Sequence, residues 1–215
     1  MPTLYVCFLQ NDVEIMESHW LNKMAALVAP KSEHTPKIHV ELFFPSNINE
    51  SEVKESLIAN GASPLLISKN LAELKANKVS LKKPDQIVLG ADSVIDLDGG
   101  LISKPNDRNE ALNILQKLNG KSHKLISSVC ISKNGSMIWN YTDSSTLTMK
   151  QLNLDQIKAY LEKIQDEKLF SYGVYQIEAD GKSLFSEIKG DENTSMGLPV
   201  KEIIKYLNKL KWKNI

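Results

Sequence analysis

Arginine is almost missing from this chain. Of 26 basic residues, Arg108 alone is arginine and the others are lysines. A fork-shaped guanidinium clamp on a phosphate or carboxylate therefore has at most one residue to draw on, and lysine is a poor geometric substitute. Charge of one sign is missing too. The 26 basic residues face 26 acidic ones, so no electrostatic case exists for nucleic acid or a membrane surface as partner. The two cysteines, Cys7 and Cys130, make no disulfide framework, and both stand in apolar runs, where buried free thiols are expected. No segment approaches ~18 consecutive apolar residues, so none is expected to span a membrane. The N-terminus has no basic stretch before its brief apolar run and reads as a strand, not a signal peptide; a cytoplasmic protein is the expectation. His19, His34, His39 and His123 show no zinc spacing. Nucleophile-elbow, Walker-type and dinucleotide glycine patterns are missing. Gly120, Lys121 and Ser122 resemble the end of a phosphate loop, but they close a helix and lack the upstream glycine.

The pattern that is present alternates helical and extended signals. Residues 4–9 read as a buried strand, and Asn11 with Glu14 resembles a capping box before Val13, Met16, Trp20, Met24 and Leu27 at helical spacing. Residues 38–44 read as a strand and 52–59 as a short helix with Val53 and Leu57. Ser63 followed by Pro64 predicts a helix through Leu66, Leu71 and Leu74. Asp107 with Glu110 predicts another, presenting Ala111, Leu112, Leu115 and Leu118 and stopping at Gly120. Strands are predicted over 125–131, 137–139 and 144–149, the first two joined at Lys133, Asn134 and Gly135. A helix over 153–164 follows, then two strands over 175–178 and 183–188 around an Asp180-Gly181 turn. The closing helix spans 199–210, with Val200, Ile203, Ile204 and Leu207 inward. Crossovers mixed with hairpins predict an α/β to α+β domain built on a mixed sheet.

Residues 88–105, VLGADSVIDLDGGLISKP, carry the chemistry. The apolar run Ile87, Val88, Leu89 stops at Gly90, and a carboxylate, Asp92, follows two residues later. A glycine-rich turn then brings Lys104-Pro105 back. A carboxylate held at a sheet edge, with a lysine over the same space, suits a metal-bound phosphate. Each residue also has a plain structural reading. Asp92 could cap a backbone amide, Lys75 and Lys104 could be solvated, and Glu50 could serve only the dipole at a helix start.

The ordered series of motifs is more specific than any one of them. PSNINESEVKESL with Glu50, LAELKANKV with Lys75, GADSV with Asp92, SKPNDRNEALNILQKLNGKSHKLISSV, GVYQIE and MGLPV follow one another. Over roughly three quarters of its length the chain resembles the Maf family of nucleotide pyrophosphatases. The resemblance implies one Maf-like domain over residues 1–215, a mixed, strongly twisted sheet flanked by helices of the Maf/ITPase kind, with 1–44 as a divergent strand-helix-strand part. It implies hydrolysis of nucleoside triphosphates to the monophosphate and pyrophosphate, on modified, non-standard or pyrimidine nucleotides, with a divalent metal (Mg2+ or Mn2+). Glu50 and Asp92 would hold the metal, and Asp92 would orient or deprotonate the attacking water. Lys75 and Lys104 would neutralise phosphate charge, with Tyr175, Gln176 and Glu178 near the base. A homodimer is implied as well.

The chain departs from that pattern at its start. The family's first strand runs into Ser-x-Ser-Pro-Arg-Arg, where this chain has LYVCFLQNDVEIMES. The family's Asp-Lys before Ala-Gly-Ala-Tyr is here Phe170-Ser171, and residues 192–195 are more polar than is usual. Two readings follow: an active pyrophosphatase with a weakened triphosphate clamp, or a non-catalytic relative that binds a nucleotide or a protein partner. An unrelated phosphohydrolase on a mixed sheet is the third.

Overall fold

The structure, a computed structural model, describes residues 3–7, 39–42, 49–177 and 180–210. Seven strands form one mixed sheet: β1 (Thr3–Cys7), β2 (His39–Leu42), β3 (Ile87–Leu97), β4 (Gly100–Ile102), β5 (Ser122–Lys133), β6 (Ser136–Met149) and β7 (Phe185–Lys189). Their order is β2-β1-β3-β5-β6-β7, with β4 on β3. β1 lies parallel to both β2 and β3, while β3-β5-β6-β7 is antiparallel throughout. This is the mixed α/β arrangement that the element pattern predicts. The capping signal at Asn11 and the helix after it lie outside the described residues.

The helices are α1 (Glu50–Ala59), α2 (Pro64–Lys82), α3 (Arg108–Leu118), α4 (Leu154–Glu162), α5 (Asp166–Tyr172), α6 (Glu192–Ser195) and α7 (Val200–Lys209). Their starts follow cap chemistry. Ser63 Oγ accepts from Leu66 N at 3.3 Å, with Pro64 in the first turn, and Asp107 Oδ1 accepts from Glu110 N at 2.8 Å. Glu110 returns its carboxylate to Asn106 N, so only half of the expected capping box forms there. The complete one is at Asn153 and Gln156.

The sheet alternation divides the core. Ile87, Leu89 and Ala91 point from β3 toward Val200, Ile203 and Leu207 of α7. Trp139 of β6 stacks on Tyr206 there, ring centres 4.7 Å apart. The opposite face of β3 receives α2. At the far end, Leu97 and Ile102 join Ala111, Leu115 and Leu118 of α3, Ile157 and Leu161 of α4, and Leu147 and Met149 of β6.

Several expectations are corrected. Gly90 does not end a strand: β3 runs on through it to Leu97. The glycine is there because α2 presses on it; a Cβ at 90 would fall 2.7 Å from Ala76 N and closer still to Ala72 O. Of the expected α2 stripe only Leu71 is buried. Leu66 and Leu74 are exposed, and Ile67, Ser68, Ala72, Lys75, Ala76 and Val79 face inward with Leu71. Residues 137–139 and 144–149 are one strand, because the polar stretch between them pairs with β5 from Asn140↔Cys130 to Ser144↔Ile126. No strand forms at 175–177 and no hairpin at Asp180-Gly181. Asp180–Leu184 is a 3-10 turn, with Gly181 packed directly on the Gln176 backbone. Arg108 has a structural role. Its Nε donates to Asp166 Oδ1 (2.6 Å), and its two terminal nitrogens donate to Leu161 O (2.9 Å) and Ile164 O (2.8 Å), so the fork closes the corner between α4 and α5.

Candidate active site

Lys75 stands in the middle of α2, where its side chain is fully buried. A lysine in that position needs compensating charge. Its Nζ donates to Asp92 Oδ1 at 2.7 Å and to Ala91 O at 3.3 Å, and meets Glu50 Oε1 at 3.1 Å. Three elements thus converge: α1 supplies Glu50, α2 supplies Lys75 and β3 supplies Asp92. Ser68, two turns earlier on α2, donates to the Asp92 carbonyl at 3.0 Å and fixes β3 against the helix. Asp92 is a mid-strand carboxylate at 3 % exposure, not a loop cap.

The electrostatics follow from burial. Desolvation by burial pulls the Lys75 pKa down, but the charges of Asp92 and Glu50 outweigh it and hold the ammonium above the usual lysine range. Asp92 moves upward as well. Its burial exceeds the opposing pull of Lys75 and Lys54 and holds the carboxyl above its ordinary value. Its second oxygen, Oδ2, is buried with no hydrogen-bond partner among the described residues.

Lys104 joins the same region in a different way. It lines a cleft of about 100 Å³ with Lys54, Ser93, Val94, Gly173 and Tyr175, and donates to Ser171 O. The β3–β4 register comes no nearer Asp92 than Ile95↔Ile102, and the Asp92 carboxylate is taken by Lys75. Ser93, the neighbour of Asp92, bonds Ser127 Oγ (3.2 Å) and Gly197 O (3.1 Å), tying the cleft wall to the loop before α7.

The expected base-side residues are not gathered at the Lys75 cluster. The Tyr175 ring is buried; its hydroxyl shares a 2.8 Å hydrogen bond with His123 Nε2, and Phe185 packs edge-on against it. Gln176 faces a second cleft of about 180 Å³, with Tyr160, Lys163 and Asp180, on the other side of Gly173 and Tyr175. Glu178 lies outside the described residues. Cys130 is buried, and burial pushes its thiol up to about 11; the Cys7 side chain is outside the described part.

Lys54, Ser93 and His123 escaped the sequence reading as site residues. Lys54 left a signal, standing one helical turn beyond Glu50 on α1. Among the described residues no three His, Cys, Asp or Glu side chains gather as a metal cage. Glu50 and Asp92 still suit a hard divalent cation, because Mg2+ is ordinarily held by one or two carboxylates plus substrate phosphates. The unpartnered Asp92 Oδ2 is an acceptor of the right type. No helix among the described residues is long and apolar enough to cross a membrane.

Comparison with known proteins finds related pyrophosphatases. A nucleoside triphosphate pyrophosphatase from Pelagibacter ubique is 62% identical over 167 residues, covering 78% of this chain and 86% of that protein. One of the same name from Ruegeria sp. is 37% identical over 162 residues, 75% of this chain and 81% of the other. A 7-methyl-GTP pyrophosphatase from Rhizobium etli is 35% identical over 172 residues, 79% and 86% of the two chains. The family model described as Maf-like protein matches residues 36–210. The chain belongs to the Maf-like protein family.

Proposed function

We propose that this chain hydrolyses nucleoside triphosphates, modified nucleotides among them, to the nucleoside monophosphate and pyrophosphate. The observation that carries the reading is the Glu50–Lys75–Asp92 cluster, its lysine and aspartate buried, with its unpartnered Asp92 Oδ2. The relatives' names give the reaction, and the 62% identity to the Pelagibacter protein favours an active enzyme over a non-catalytic copy.

In this reading water attacks the α-phosphorus, the bond from that phosphorus to the α–β bridging oxygen breaks, and pyrophosphate leaves. Asp92 orients the water and takes its proton. The upward shift of the carboxyl makes it a stronger base than an exposed aspartate. Lys75 keeps Asp92 from rotating away and places a fixed positive charge beside the reacting phosphate. Lys104 meets the phosphate tail from the cleft wall. Glu50 and Asp92 would hold a divalent metal, which would supply Lewis-acid neutralisation of the phosphate oxygens. Tyr175, Gln176 and Glu178 belong to the base side, the whole chain acts as one Maf-like unit, and assembly as a homodimer is part of the same proposal.

The test is chromatographic detection of monophosphate and pyrophosphate from a panel of standard and modified triphosphates, 7-methyl-GTP included, with Mg2+ or Mn2+. Asp92→Asn keeps the shape and removes the charge. It is expected to lower pyrophosphate release at least ~100-fold, within the ordinary range for loss of an acid–base group, with the circular dichroism spectrum unchanged. Release by the variant at the wild-type rate would overturn the assignment.

A further inference from the structure

Helix α1 turns four partly buried positions toward the rest of the molecule, Glu50, Val53, Lys54 and Leu57, at the i, i+3, i+4, i+7 spacing of an inward stripe. Two of the four are charged. Glu50 is explained by Lys75. Lys54 is not: its side chain is 22% exposed, and its nearest acid is Glu50 Oε2 at 3.8 Å, beyond hydrogen-bond length. Lys54 makes no hydrogen bond among the described residues, yet it forms part of the cleft wall that also carries Ser93, Lys104 and Tyr175.

We propose that Lys54 is a phosphate-binding residue of this cleft, an ammonium that takes up charge on the polyphosphate tail of the substrate. The assignment rests on the nucleoside triphosphate reading. It is favoured by the local pairing. Glu50 already meets Lys75 at 3.1 Å, and Lys54 stands 3.8 Å from its other oxygen, so the Lys54 ammonium lines the cleft with no acceptor at hydrogen-bond length among the described residues. A half-buried cation without a hydrogen-bond acceptor is unfavourable in the empty protein and is relieved by an anion. It is favoured also by the shortage of guanidinium groups: Arg108, the single arginine, has its nitrogens committed to Asp166, Leu161 and Ile164. The field of Lys54 reaches Asp92, where it opposes the effect of burial on the carboxyl. A lysine is a point charge on a flexible stem, so it meets a phosphate tail without demanding one fixed geometry, and its attraction is sensitive to salt.

The competing account is that Lys54 only steadies Glu50 across one helical turn. The two differ in what they do to phosphate affinity. Lys54→Met keeps the apolar stem and removes the charge; Lys54→Arg keeps the charge; Lys54→Gln replaces the Met variant if that one fails to fold. Binding of inorganic tripolyphosphate is measured by calorimetry, and KM and kcat are measured with saturating metal. Lys54→Met is expected to weaken tripolyphosphate binding and raise KM for the triphosphate by about tenfold each, with kcat within about threefold of wild type. Lys54→Arg is expected to restore both to within about threefold, and the affinity of the Met variant is expected to fall less steeply with ionic strength. Unchanged tripolyphosphate affinity and KM in a folded Lys54→Met would overturn the proposal, as would a defect that disappears when metal concentration is raised. If the wild-type chain turned over no triphosphate while Lys54→Met still weakened tripolyphosphate binding, the Lys54 site would stand and the pyrophosphatase reading would fall.

Discussion

Single side chains carry the sharpest physical signatures here, and His123 is one of them. It is buried at 3 % exposure between Tyr175 and Phe185, with Nε2 bonded to Tyr175 and Nδ1 without a partner among the described residues. Burial drags its pKa from 6.5 down to about 4. The unfolded chain therefore takes up a proton near pH 6.5 that the folded chain refuses until about pH 4. Above that window both states are neutral and the contribution is complete; as the pH falls through it, stability is lost, by up to about 3 kcal/mol. Urea midpoints at pH 7 and pH 5 measure it. His123→Gln can still hydrogen-bond Tyr175 but has no proton to gain, so its midpoint is expected to drop less between the two pH values. An equal drop in wild type and variant would place the acid sensitivity elsewhere.

At the scale of elements, the contact of α2 with β3 positions the site, and Gly90 permits it. Gly90→Ala forces a methyl into the backbone of α2 at Ala72 and Ala76. The expected loss is about 3 kcal/mol, the upper part of the usual overpacking range, read as a lower denaturation midpoint. How legible an element is in the sequence depends on where its cause lies. Ser63-Pro64 and Asp107 mark helix starts because a cap is a local interaction, and both caps form. Lys75, Asp92 and Glu50 could be named from the motif series, and the structure brings those three together. The inward face of α2 does not follow its leucines, because Leu74 is an apolar residue left at the surface, while a lysine occupies the interior. The division of β6 failed for a similar reason: the polar residues between its halves read as a loop, but their backbone completes the ladder to β5. Residues 175–178 have a strand-like pattern in the sequence. What shapes that segment is distant: Tyr160 Oη donates to Val174 O, and His123 holds Tyr175. Lys54 does not stand out in the sequence, because one lysine on a short helix looks solvated unless the stripe around it faces inward.

For the whole molecule, the order β2-β1-β3 puts the chain's first strand inside the sheet, with a parallel partner on each side. The family match begins at residue 36, so cutting there would look harmless on sequence grounds. The sheet argues otherwise. Deleting residues 1–35 removes β1, detaches β2 and leaves the Ile87–Gly90 edge of β3 unpaired. Such a truncation is expected to melt without a cooperative transition and to elute as aggregate in size-exclusion chromatography. A sharp melt and a monodisperse peak would show that β1 is dispensable. The buried cluster has a consequence at this scale too. Lys75 is a counter-ion on a tether: it is covalently part of the chain and cannot be dialysed away from the two acids it serves. Surface pairs loosen as salt rises, but an ammonium closed off from solvent is screened far less. Dilution, desalting or brine therefore leave the acid pair with the same cation.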